Sequence, residues 1–172
     1  MAESPSAGEL AAALADRSKR GGRIGIATGT FGLIHAGTIR FLRAARAECD
    51  HLFVAIFSEP AGDDGSGNPP SCIERAARHL MKPDERRRVL TAIEGVEAAD
   101  FAGQDGLSLS EWVRLAPSAR WMASDSEGDI GAGCEGQLRQ VGVTIQMIHE
   151  GDSCTTRALL RRMGASGRER VG

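Results

Sequence analysis

The sequence has almost no net charge, no long apolar run and no paired cysteines, and each absence removes a class of function. Lys+Arg 21 against Asp+Glu 23 leaves a formal charge of -2, so no global basic field exists to hold nucleic acid or an anionic membrane. Any anion site must be local. No apolar stretch approaches the roughly 18 residues of a membrane helix, and the opening MAESPSAGELAAALADRSKR is acidic where a secretory signal is basic. The expectation is a cytoplasmic protein with neither a nucleic-acid nor a membrane partner. Cys49, Cys72, Cys134 and Cys154 are scattered without a CxxC, which points to buried or incidental thiols and no metal site. Lysine is scarce too: Lys19 and Lys82 stand alone, and arginine carries the remaining positive charge.

What is present suits one domain of ordinary size with a real core, at 172 residues. Leu10 and Leu14 among alanines predict an amphipathic helix over Gly8–Lys19, able to pack on the body or to serve a partner. Residues 1–22 are read as this helix and a linker, 23–163 as the main domain and 164–172 as a polar tail. Arg23–Thr28 reads as a buried strand broken by a glycine turn, with a helix from Gly37. His51–Phe57 is the second strand, and Ser58–Ser71 a long loop without core residues. Pro83–Ile93 has proline at a first helical position and acids in its first turn. Val96–Phe101 is a strand, Ser108–Leu115 a helix, Arg120–Ala123 a strand and Gly136–Gln140 part of a helix. Val141–Ile148 gives the strongest strand pattern, and Thr155–Met163 a closing helix. This alternation predicts an α/β fold: a Rossmann-like open parallel sheet of about five strands with helices on both faces. Such sheets bind ligands at the carboxyl ends of their strands, where the chain order reverses.

The turn after the first strand reads Thr28-Gly29-Thr30-Phe31-Gly32-Leu33-Ile34-His35-Ala36-Gly37-Thr38. It lacks the GK[ST] ending of a P-loop and does not match GxGxxG. Its glycines still admit a polyphosphate close to the backbone, and the helix after it offers N–H groups and a positive dipole end. A histidine at such a place is a helix cap or packed side chain, or else a catalytic group.

TGTFGLIHAGTIRFL resembles the TGTFDxxHxGHxxxL signature of the cytidylyltransferase-like nucleotidyltransferases, in particular heptose-phosphate adenylyltransferases and glycerol-phosphate cytidylyltransferases. Pro83-Asp84-Glu85-Arg86 is similar to the P-x-E-R segment of that family, and Asp152-Ser153-Cys154-Thr155-Thr156 to its G-x-S-T-T. The resemblance runs from about Arg23 to Met163. It implies transfer of AMP or CMP from a nucleoside triphosphate to a small phosphorylated sugar or alcohol, with release of pyrophosphate, Mg²⁺ assistance and a homodimer. It also implies His35, Thr38 and Arg86 as catalytic positions, and Thr28, Gly29, Thr30, Phe31, His35, Gly37, Asp125, Cys154, Thr155 and Thr156 as nucleotide-binding ones. By composition alone, Arg86 could instead lie on a solvated helix face with Arg87 and Arg88, and Thr155 and Thr156 could be plain N-caps.

Three positions depart from the family pattern. Thr38 replaces the second histidine of HxGH, Gly32 the aspartate after TF, and Met122 the lysine of a Lys-Gly-x-Asp segment. Threonine can donate one hydrogen bond but carries no charge. Two readings follow: an active transferase in which Arg120, Arg157 or another arginine supplies the missing charge, or a regulatory or partner subunit that binds nucleotide or phosphosugar without turnover. If Thr38 is only a weakened replacement, restoring histidine raises turnover. If the site has been rebuilt around threonine, it does not. A third reading makes the first helix and the end of the chain, with five arginines and one glutamate in Arg157–Gly172, an interaction module.

Overall fold

The apolar runs of the sequence become five parallel strands, and the glycine turn lands where the chain changes direction across them. The computed structural model describes residues 6–57, 80–103, 106–124 and 132–149, with 158, 159 and 162. The strands are β1 (Ile24–Gly29), β2 (His51–Phe57), β3 (Val96–Ala102), β4 (Arg120–Ser124) and β5 (Ile145–Ile148). Their spatial order is β3-β2-β1-β4-β5. The chain therefore builds outward from β1 to β3, returns, and continues on the other side of β1. Register places Ile26 beside both Phe53 and Trp121, and Ala27 beside Val54 and Met122. With β1 central and covered on both faces, its inner residues are almost uniformly apolar, as buried parallel strands require.

Helices α1 (Ala7–Arg20), α2 (Ala36–Ala47), α3 (Pro83–Thr91), α4 (Leu109–Leu115) and α5 (Ala132–Gln140) fill the layers. One face of the sheet packs Leu10, Leu14, Ile26, Phe53, Trp112 and Trp121. The other packs Phe41, Leu42, Val54, Ile56, Leu90 and Met122. The expected α/β sheet with helices on both faces is what the chain forms.

Helix α1 packs on the body. Leu10 and Leu14, one turn apart, are both fully buried, and each contributes about 1.5–3 kcal/mol on leaving water. Ser6 and Glu9 cap the helix reciprocally and Gly21, at φ 83, ends it. Ser108 and Glu111 repeat the same Ser-x-x-Glu device at the start of α4. Arg17 reaches Glu97 on β3 at 3.0 Å, and His51 on β2 pairs with the same carboxylate. The apolar face of α1 is thus not offered to a partner.

The strand expected over Val141–Ile148 is shorter, beginning at Ile145. Gly142 adopts φ 76 and donates to the Arg139 carbonyl at 3.0 Å, while Val143 donates to Leu138 at 3.0 Å. These paired bonds are a Schellman closure of α5, so the alternating Val-Gly-Val is a helix stop before it is a strand. Of the closing helix, Ala158, Leu159 and Arg162 are helical, and its other residues, with the 58–71 loop and the tail, lie outside the described ones.

The amino ends of β1 and β2 are fastened by a charged clasp. Arg23 gives Nε and Nη2 to Asp50 at 3.1 and 3.0 Å, and its backbone N–H donates to the same carboxylate at 2.9 Å. These bonds lower the Asp50 carboxyl to about 2, hydrogen bonding to Arg23 being the largest cause. A depressed carboxylate contributes its stability above the ordinary value, and that contribution is lost as pH falls from about 3.8 toward 2. In Arg23→Gln the Asp50 carboxyl should titrate closer to its ordinary value in a carboxyl NMR titration; an unmoved midpoint would exclude Arg23 as the cause.

Candidate functional site

The last residues of β1 and the first of α2 form the candidate site, at the point where the sheet order reverses between β1 and β4. Thr28 is buried and its hydroxyl donates to the Met122 carbonyl at 3.0 Å, sewing β1 to β4 at this point. A Cβ on Gly29 would lie 3.1 Å from the ring of Phe31. Phe31 itself is buried and sits at φ 49, the one positive-φ residue other than glycine among those described. A left-handed aromatic residue costs on the order of 1–3 kcal/mol, and such strain collects at functional turns.

His35 occupies the N-cap of α2 in extended conformation, φ -142 and ψ -179. Its Nδ1 accepts from the Gly37 amide at 3.0 Å and from the Thr38 amide at 3.4 Å. In return the His35 amide donates to the Thr38 hydroxyl at 3.3 Å. Thr38 is only 4% exposed. Its oxygen therefore serves the helix start. Gly37 is buried in the same turn.

Arg86 brings α3 to the turn. It is 9% exposed, and it gives Nη1 to the Thr30 carbonyl at 3.3 Å and Nε to the Met81 carbonyl at 3.1 Å. The solvated-face alternative does not describe it: two donors of this guanidinium grip backbone on either side of the site. Thr28, Gly29, Thr30, Phe31, His35, Gly37, Thr38 and Arg86 are therefore assembled at one place. Asp125, Cys154, Thr155, Thr156 and Arg157 lie outside the described residues.

Arg120 does not supply the missing charge. It opens β4 opposite Gly25, near the amino end of the sheet, and pairs with Glu48 at 2.9 Å. At roughly 3.3 Å per residue, that start is more than 10 Å from the carboxyl end of β1. Met122 is fully buried in the core, with its Sδ-methyl end against Gly25. It cannot face a ligand as a lysine would.

A second charged pair escaped the sequence reading. Asp100 on β3 is fully buried, and its Oδ1 accepts from Arg87 Nη1 at 3.1 Å and from the Phe101 amide at 2.8 Å. Among the described residues, its Oδ2 and Arg87 Nε have no hydrogen-bond partner. Burial pushes the Asp100 carboxyl up, against the lowering by Phe101 and Arg87. Arg86 and Arg87, consecutive on α3, thus hold the glycine turn and β3 respectively. An aspartate inside the apolar run Val96–Ala102 was the available signal, but its partner, thirteen residues away, is set by tertiary packing.

Residues 5–65 match the model of the pantoate-beta-alanine ligase family. The chain is 32% identical over 149 residues to the bifunctional protein HldE of Gluconacetobacter diazotrophicus, an alignment covering 86% of this chain and 28% of that protein. It is 27% identical over 123 residues to the FAD synthase of Pyrococcus horikoshii, covering 70% of this chain and 74% of that one. It spans less than a third of the HldE proteins it matches, from 18% to 29% of their length. A lipopolysaccharide core biosynthesis protein from Thermoplasma volcanium has the same fold, with TM-score 0.51 and 15% identity over 78% of this chain and 100% of that one.

Proposed function

We propose that the chain is a member of the cytidylyltransferase-like nucleotidyltransferase superfamily and transfers a nucleotidyl group, AMP or CMP, from a nucleoside triphosphate to a phosphorylated sugar or alcohol. The observation that carries this reading is the seat of His35: an imidazole capping a helix at the carboxyl end of the central strand, at the sheet's switch point. An oxygen of the acceptor phosphate attacks the α-phosphorus, the bond to the bridging oxygen breaks, and pyrophosphate leaves. The protein contributes position and charge complementarity more than covalent chemistry. The strained glycine turn lets the triphosphate approach backbone, the start of α2 presents positive dipole, and His35 addresses the phosphoryl oxygens. Arg86 holds the shape of the turn through Thr30.

Mg²⁺ bound with the triphosphate would supply charge neutralisation on the phosphate oxygens.

Titration calorimetry of ATP and of CTP, each with Mg²⁺, tests the reading with wild type and His35→Asn. Asparagine is among the best N-caps, so the variant keeps an acceptor for the Gly37 and Thr38 amides while losing the imidazole. Loss of a hydrogen bond to a charged group costs about 1.5–3 kcal/mol, so one nucleotide should bind about 10- to 100-fold more weakly. Equal affinity in both proteins would remove His35 from the phosphate site. A second reading, binding without turnover, is favoured by the buried, capping hydroxyl of Thr38, which carries no charge to the reaction. Tight nucleotide binding with no pyrophosphate release across phosphorylated sugars and alcohols would select it.

A further inference from the structure

Thr38 carries no charge, and Arg120 opens its strand too far from the site to replace one. The partners of the other arginines narrow the choice. Arg17, Arg46, Arg86 and Arg87 are partly or wholly buried, and each donates to a carboxylate or a backbone carbonyl. Arg43, Arg88 and Arg114 are exposed to water. Arg40 fits neither group. It is half-buried, its Nη2 is cut off from solvent without a hydrogen-bond partner, and no described carboxylate pairs with it. A charged donor taken out of water with nothing to receive it is destabilising. The partner that suits it is an anionic oxygen.

Helix geometry fixes where that oxygen would sit. Residues of α2 advance by about 100° each, which puts Leu42 and Arg46 on one flank of the buried face and Arg40 and Ala44, one turn apart, on the other. Arg46 lays its stem against the turn before β3, its Cγ 3.1 Å from the place of a Cβ on Gly95. That flank therefore covers the β2–β3 side of the sheet. The opposite flank faces β4 and β5, both of which α2 touches, and there Ala44 packs against the cluster containing Met122 and Ile148. Side chains on a helix lean toward its N-terminus, and Arg40 starts only about 6 Å along the axis from Ala36. Its guanidinium thus returns to the level of His35, beside the crevice between β1 and β4 where the sheet order reverses.

We propose that Arg40 is a phosphate-binding arginine of this site, donating from Nη2 to an anionic oxygen of the triphosphate and supplying the charge that Thr38 does not carry. The triphosphate rests on the nucleotidyl-transfer reading above; the demand for an anionic partner does not. A guanidinium keeps its charge at any working pH and presents a planar fork to phosphate oxygens. The Thr38 hydroxyl is already committed to the His35 amide, so capping and charge are divided between two side chains of one helical turn.

The test is titration calorimetry of inorganic pyrophosphate, ATP and CTP, each with Mg²⁺, into wild type, Arg40→Gln and Arg40→Lys, beside urea unfolding of each protein without ligand. Loss of a hydrogen bond to a charged group should weaken pyrophosphate and one nucleotide about 10- to 100-fold in Arg40→Gln. Arg40→Lys, which keeps the charge without the fork, should fall between. The urea midpoint of Arg40→Gln should equal or exceed that of wild type, because the substitution removes a buried charge that the fold does not pair. Equal affinities in wild type and Arg40→Gln overturn the proposal and leave the nucleotide reading standing. Weaker binding together with a lower midpoint also overturns it, since the guanidinium would then serve the fold. Pyrophosphate binding that depends on Arg40, in a protein that takes neither nucleotide, upholds the anion site and sinks the triphosphate. A wild type that binds none of the three overturns both.

Discussion

Replacing Asp100 with alanine should destabilise the protein by about 3–5 kcal/mol, the usual consequence of removing one member of a buried ion pair. The side chain is wholly buried, and its loss strands the Phe101 amide and removes the inner partner of Arg87. Among the described residues, Arg87 then keeps Asp84, at 2.7 Å on the exposed side of α3. Urea unfolding at neutral pH measures the effect, and a loss below about 1 kcal/mol, the scale of an exposed pair, would mean the pair contributes nothing beyond surface electrostatics. Asp100→Asn isolates the charge. Burial raises the folded-state carboxyl, so the native state holds this proton more firmly than the unfolded chain. The associated stability is present below the unfolded value and lost as pH rises through the folded one. Wild type should therefore lose stability across that interval relative to the asparagine variant. Because Arg86 adjoins Arg87 and grips Thr30, damage at Asp100 should also weaken nucleotide binding at a turn that Asp100 does not itself touch.

Thr38→His, which restores the second histidine of the family pattern, should make the protein worse. The threonine is 4% exposed and its oxygen is occupied by the His35 amide. Forcing a larger ring into a packed position costs about 1–3 kcal/mol, and the capping acceptor is lost as well. Both stability in urea and affinity for ATP or CTP with Mg²⁺ should fall. A variant as stable as wild type with faster pyrophosphate release would show that the position still faces substrate, and that threonine is only a weakened replacement. The buried hydroxyl favours the other branch, a site rebuilt around threonine.

Much of this architecture could be read before any coordinates, for identifiable reasons. Apolar runs such as His51–Phe57 and the proline-led start of α3 are local signals, and their alternation forces parallel pairing. The glycine turn was legible because a closely approached backbone favours glycine, but its left-handed residue, Phe31, carried no such signal. Val141–Thr144 was misread because alternation describes a strand and a Schellman stop equally well until the φ of Gly142 is known. Arg120, expected as a source of the missing charge, was excludable from the sequence: a residue that opens a parallel strand lies at the edge opposite the ligand. The pairing of Asp100 with Arg87 and the reciprocal cap between His35 and Thr38 had no such local signature. Both depend on which way a side chain turns once helix and sheet have packed.

The burial of α1 has a consequence for how the chain is made. Leu10 and Leu14 share their cluster with Trp112, so the helix is synthesised roughly a hundred residues before the side chain that covers it. At about 5–20 residues per second, its apolar face waits on the order of 5–20 s for α4 to emerge. Through that interval α1, which leaves the ribosome ahead of the sheet it packs on, is among the last elements able to find its native neighbours.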